Sequence, residues 1–163
     1  MQDEDYMDRR IFTFGAVAAV VLLGACGPTP QLNVKDAVLT LSPVDSNPSA
    51  FHFNVYGGPK DVYLVRVSSP SVIRTEMHDV SVDPKTGAVS MSPMDRVLIP
   101  AGKTVAFKKG GKHVMVWGVN LIPRRLGEID TEFLFSNDVR ILVKARVQEV
   151  DGSDPDEKKA IDG

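Results

Sequence analysis

His113 and Met115 stand two positions apart in GGKHVMVW, the segment from Gly110 to Trp117. In an extended strand, residues i and i+2 project from one face, so an imidazole and a thioether rise together with roots about 7 Å apart, while Val114 and Val116 turn the other way. Both side chains are long, uncharged donors that can lean onto one ion. Upstream, TEMHDVSV supplies His78, and GAVSMSPM supplies Met91 and Met94 beyond the turn DPKTG. Twelve residues separate His78 from Met91, twenty-one separate Met91 from His113, and one separates His113 from Met115. The spacing offers four possible ligands on three strands or their ends, with Met94 competing for the place of Met91.

Thioethers are soft donors that select Cu(I) among common biological ions; zinc prefers thiolate, imidazole or carboxylate, and calcium or magnesium needs oxygen. A neutral set of two histidines and two methionines leaves Cu(I) with one net charge, whereas Cu(II) would keep two in a partly desolvated site. The expected cargo is therefore Cu(I). A permanent electron-transfer copper site usually includes a cysteine thiolate. Cys26 is the only cysteine, and it lies in an export segment. Neutral ligands also exchange readily, as a carrier requires.

The elements that must position these residues read as strands. VKDAVLTL, AFHFNVYG, DVYLVRVSS, SVIRTEMHDVSV, RVLIPAG, TVAFKKGG, KHVMVWGV, IDTEFLFS and VRILVKARVQEV are short, rich in Val, Ile and Phe, and often alternate in polarity. GGPK, DPKTG, PAGK, KKGGK and SND separate them as turns. No sustained helical period occurs. The expected fold is all-β, an antiparallel Greek-key sandwich spanning residues 34–150. With 163 residues, 43% of them hydrophobic, the chain has material for one such domain.

Ahead of that domain, Arg9 and Arg10 precede an uncharged run from Ile11 to Leu23. Its length suits the apolar region of a signal peptide and is short for a membrane span. The acidic MQDEDY does not suit an export signal, so the start of translation is expected at Met7; the paired arginines resemble a twin-arginine signal. LGAC, ending at Cys26, resembles a bacterial lipobox, with ordinary cleavage beside Cys26 as the alternative. The expected layout is a signal peptide with lipobox over residues 1–26, a proline-containing linker over 27–33, the domain, and a polar tail over 151–163 with almost nothing apolar to offset its ordering entropy. A lipidated Cys26 would hold a periplasmic protein at a membrane surface. The net charge of -2 and the scattered Lys and Arg provide no nucleic-acid surface. Neither a nucleophile–base–acid arrangement nor a phosphate loop is present, so no enzyme is expected.

Other residues carry weaker expectations. Met77 faces away from His78 and should pack in the core. His52 reads as a structural or surface histidine, because no methionine stands at ligand spacing from it. Trp117 shares the parity of His113 and Met115, and either walls the metal from water or simply packs. Gly110 and Gly111 permit a tight turn into the ligand strand. Pro123 to Arg125 reads as a solvated loop that could alternatively meet an acidic partner.

These residues resemble the periplasmic copper A chaperone family, PCuAC. The likeness covers SSPSVIRTEMHDV, GAVSMSPMDRVLIPAGKTVAFKKGGKHVMVWGVN and GEIDTEFLFSNDVRILVKARV, most of Phe51 to Val147. It implies a cupredoxin-like sandwich that carries Cu(I) outside the cytoplasm and delivers it toward the copper A centre of a respiratory oxidase, together with a thioredoxin-like copper partner. The family's ligand histidines and methionines fall on His78, Met91, His113 and Met115. The gap from His78 to Met91 is two residues longer than usual, which extends each arm of the DPKTG hairpin by one without reversing the faces. A rival reading is an exported adhesion or assembly sandwich without a metal, its methionines used for packing.

Overall fold

The structure, a computed structural model, describes residues 29–150. The expected signal peptide, Cys26 and the polar tail lie outside the described residues. Ten strands form in chain order: β1 (Asn33–Leu41), β2 (Ser49–Tyr56), β3 (Val62–Ser68), β4 (Arg74–Val82), β5 (Val89–Met94), β6 (Val97–Ile99), β7 (Thr104–Phe107), β8 (His113–Trp117), β9 (Glu128–Phe135) and β10 (Arg140–Glu149). One short helix, α1 (Leu121–Leu126), precedes β9. The all-β expectation holds.

The strands hydrogen-bond in the order β5-β4-β8-β2-β1-β10-β9-β3-β6, with β7 also paired to β2. This path folds back on itself. Phe51 and Phe53 of β2 meet Phe133 of β9 at ring-centroid distances of 6.1 and 4.8 Å, although two strands separate β2 from β9 along the ladder. One layer thus contains β5, β4, β8, β2 and β7, the other β10, β9, β3 and β6, with β1 at the fold. The chain crosses between layers after β2, β3, β5, β6 and β8, the connectivity of a sandwich.

Strict alternation drives this arrangement. In β2, Phe51, Phe53 and Val55 are buried while Ala50, His52 and Asn54 are only half-buried. In β9, Ile129, Thr131, Phe133 and Phe135 are buried. Each layer presents one apolar face, and burying the two against each other yields the core. Phe53 stacks on Phe107 at 4.3 Å, extending the aromatic cluster to β7.

Two features differ from the expectation. All ladders are antiparallel except β1 with β10, which run parallel. No tight hairpin joins these two strands, so nothing forces them antiparallel. Pro123 to Arg125 are helical: Asn120 caps α1 by accepting from the Ile122 N–H, and Gly127 closes it in a left-handed conformation, its N–H donating to the Pro123 carbonyl. Proline fits because its missing N–H falls in the first turn.

Candidate metal centre

The register assembles the predicted ligands on one face. In the β4–β8 ladder, His78 lies directly opposite His113 and Glu76 opposite Met115. In the β4–β5 ladder, Val80 lies opposite Met91 and Met77 opposite Met94. Directly opposed residues share a face, and so do residues two apart on one strand. His78, His113, Met115 and Met91 therefore all project from the outer face of the β5-β4-β8-β2 layer. Met94 shares the inner face with Met77 and packs against the core; Met77 is itself a core residue, as expected.

The alternation of burial fails where the histidines stand. On β4, both Met77 and His78 are buried, and on β8 both His113 and Val114 are. His78 is 9% exposed and His113 8%, on a face where Met91 is 50% exposed. Their ring centroids are 6.1 Å apart. An ion bonded to two imidazoles at about 2 Å holds their centroids roughly 6 Å apart, so this spacing suits one shared ion.

Hydrogen bonding distinguishes the four ring nitrogens. His113 Nδ1 donates to the Gly111 carbonyl at 2.9 Å, which fixes the tautomer and leaves the Nε2 lone pair available. Gly110, at φ +73°, permits the tight loop that presents this carbonyl. His78 Nε2 faces the Glu76 carboxylate at 3.8 Å. Its Nδ1 is buried without a hydrogen-bond partner among the described residues. Such an orphan costs about 1–3 kcal/mol, a penalty that a metal bond at that nitrogen would remove. Among the described residues, no three His, Cys, Asp or Glu side chains converge as a metal cage. The soft donors that stand beside the two imidazoles on this face are thioethers.

Met115 and Met91 flank the imidazole pair from opposite directions. Met115 lies at the level of Glu76 and Met91 at that of Val80, four residues and about 13 Å further along β4. Met115 is fixed within a central strand. Met91 stands on β5, which among the described strands hydrogen-bonds only to β4 and forms the sheet edge, with a proline opposite His78 where an edge strand tolerates one. The β4–β5 hairpin closes through Asp83, whose carboxylate accepts from the Lys85 and Thr86 N–H groups at 2.7 and 3.0 Å. These backbone donors hold the Asp83 carboxyl below its ordinary pKa.

The surroundings add residues outside the expected ligand set. Glu76 sits between His78 and a salt bridge to Arg74 at 3.1 Å. Two positions before His78 in TEMH, it shares that face, a parity legible in the sequence. Trp117 lies opposite Arg74, whose guanidinium covers its ring at 4.1 Å. His52, expected to be structural or surface, is half-buried and lines an open surface cleft of about 340 Å³ together with His113, Met91, Val80 and Lys109. Burial above all, then the charges of His113 and Lys109, lower its pKa from the ordinary histidine value. The signal is again parity, but on a strand whose neighbour the sequence does not reveal.

The LpqE-like family model, described as a lipoprotein family, matches residues 32–147. No curated protein sequence matches the chain. Among solved structures, a copper-bound PCuAC domain from PmoF2 aligns at TM-score 0.59 and 13% identity, covering 75% of this chain and 96% of that domain. The apo PCuAC domain from PmoF1 aligns at TM-score 0.56 and 14% identity over 75% of this chain and 97% of that one. The solution structure of apo-DR1885 from Deinococcus radiodurans aligns at TM-score 0.52 and 17% identity over 91% and 98%. The likeness establishes a shared fold.

Proposed function

Because the chain belongs to the LpqE-like family and has the fold of PCuAC domains, we propose that it is an extracytoplasmic copper carrier, not an enzyme, holding one Cu(I) through His78, His113, Met115 and Met91. The observation that carries this reading is the directly opposed, buried pair His78 and His113, with an unpartnered Nδ1 on His78 and thioethers on the same face. Two imidazoles and a thioether already form a soft, neutral set suited to Cu(I). The Glu76 carboxylate beside His78 offsets the single positive charge that such a complex retains.

Capture and release follow from the inequality of the two methionines. Met115 completes an inner set with the histidines. Met91, half exposed on the edge hairpin, closes over the ion when the hairpin bends inward and is the first ligand to yield to a receiving protein. Neutral ligands exchange one at a time, so the ion need never be bare.

Lipidation at Cys26 would hold the carrier at a membrane surface on the periplasmic side, in keeping with the family's lipoprotein description. The receiving site in this reading is the copper A centre of a respiratory oxidase, loaded together with a thioredoxin-like copper partner. The test is competition for Cu(I) against a chromogenic chelator, combined with X-ray absorption. Retention of one copper with mixed sulfur and nitrogen neighbours is expected. Absence of retention returns the chain to the metal-free adhesion or assembly reading, and an oxygen-only shell removes the histidine and methionine site.

A further inference from the structure

His52 is the one of the chain's three histidines outside the proposed ligand set, and it sits where β2 changes partners. Ser49 to Phe51 pair with β8, whereas Phe53 to Tyr56 pair with β7. The β2–β8 ladder runs Ala50 opposite Met115 and Phe51 opposite Val114, so the next residue, His52, stands at the level of His113. Phe51 and Phe53 are buried in the core, which turns His52 to the outer face that carries His113. Both imidazoles line the cleft, and Met91 lines it as well. His78 and Met115 do not belong to its wall.

The outer face thus bears two donor sets of the same chemistry. His78, His113 and Met115, closed over by Met91, form one, with both histidines buried. His52, Met91 and His113 form the other, around an open cleft with apolar wall residues such as Ala50 and Val80. His113 belongs to both, and its orientation is fixed by the Gly111 carbonyl.

Resting on the carrier reading, we propose that the cleft is a second, solvent-facing copper position held by His52, Met91 and His113. Cu(I) passes between the cleft position and the inner one by exchanging His52 for His78 and Met115 while His113 and Met91 stay bound. No electron or proton is transferred in this step; only neutral donors are exchanged. The two positions share two ligands, so the chain holds one copper at a time.

The test is a double-mutant cycle on the full chain, with His52→Ala made in the wild-type and the Met115→Leu backgrounds and Cu(I) affinity read by chelator competition. In the wild type the inner position dominates, and His52→Ala should cost no more than about threefold. With Met115 replaced, the cleft carries the ion, and the same change should cost about tenfold or more, the scale of losing a supporting group at a metal site. X-ray absorption of the Met115→Leu variant should still show one sulfur and two nitrogen neighbours. Circular dichroism confirms that each variant is folded, which His52 on the outer face and a Met→Leu exchange both favour. Equal effects of His52→Ala in the two backgrounds overturn the second position while leaving the carrier reading intact. Failure of the wild-type chain to retain Cu(I) overturns both.

Discussion

The two faces of the β5-β4-β8-β2 layer are made by the same strands, yet they obey different rules. Its inner face follows apolar alternation: Val114 and Val116 of β8, Phe51 and Phe53 of β2 and Met77 of β4 are buried and pack together. Its outer face should be polar and wet, but two histidines are buried there, one with a ring nitrogen left without a partner. The inner face is satisfied by contact alone. The outer face is not, which on the carrier reading separates a surface built for stability from one built to receive an ion.

The sharpest way to break this comparison is to damage what packs against the inner face from the opposite layer. Phe133 is fully buried and meets both Phe51 and Phe53, so Phe133→Ala should destabilise the fold by about 3–5 kcal/mol in denaturant titration. Copper affinity, measured under conditions where the variant remains folded, should be unchanged. If both properties fall together, the two faces are not independent.

Next in size is His113→Ala, which removes a ligand common to both proposed positions. It should weaken Cu(I) retention in chelator competition by more than the roughly 10–100-fold typical of groups that merely support a ligand, with a smaller loss of stability than Phe133→Ala. The methionines sharpen the contrast further, because leucine keeps volume and removes only sulfur. Met115→Leu and Met91→Leu should each cost about tenfold in affinity. Met94→Leu, on the inner face, should leave affinity as it was; a loss there would reassign the edge-strand ligand.

Smaller effects concern the supports. Glu76→Gln should weaken Cu(I) binding about threefold or less, since a partly exposed charge contributes below about 1 kcal/mol, and the effect should shrink as salt is raised. Asp83→Asn should loosen the β4–β5 hairpin slightly. The Asp83 carboxyl titrates below its ordinary value in the folded chain, so its contribution is fully present above that ordinary value and is lost as pH falls through the lowered one. The difference in thermal midpoint between wild type and Asp83→Asn should therefore be constant at neutral pH and vanish in strong acid.

Much of this architecture is legible in the residue pattern alone. The two-residue period places His113 and Met115 together and sets Met77 apart from His78, and the strand-rich pattern implies a sandwich. Glu76 obeys the same parity, but its hard carboxylate falls outside a search for soft donors. His52 escapes for a different reason: its strand is far in sequence from β8, and ligand spacing along the chain cannot register a neighbour made by sheet pairing. The helix over Leu121–Leu126 leaves no signal because six residues are too few to display a helical period.

The sequence by itself determined which side chains share a face within each strand, because the pleat turns successive residues to opposite sides whatever their surroundings. It also determined the donor chemistry, which resides in the side chains. Only the tertiary structure decided that β4 and β2 flank β8, that Met91 rather than Met94 shares the histidine face, and that His52 completes the wall of the cleft. Those outcomes depend on strand order and register, which the burial of two apolar faces against each other selects across the whole chain and no local pattern encodes.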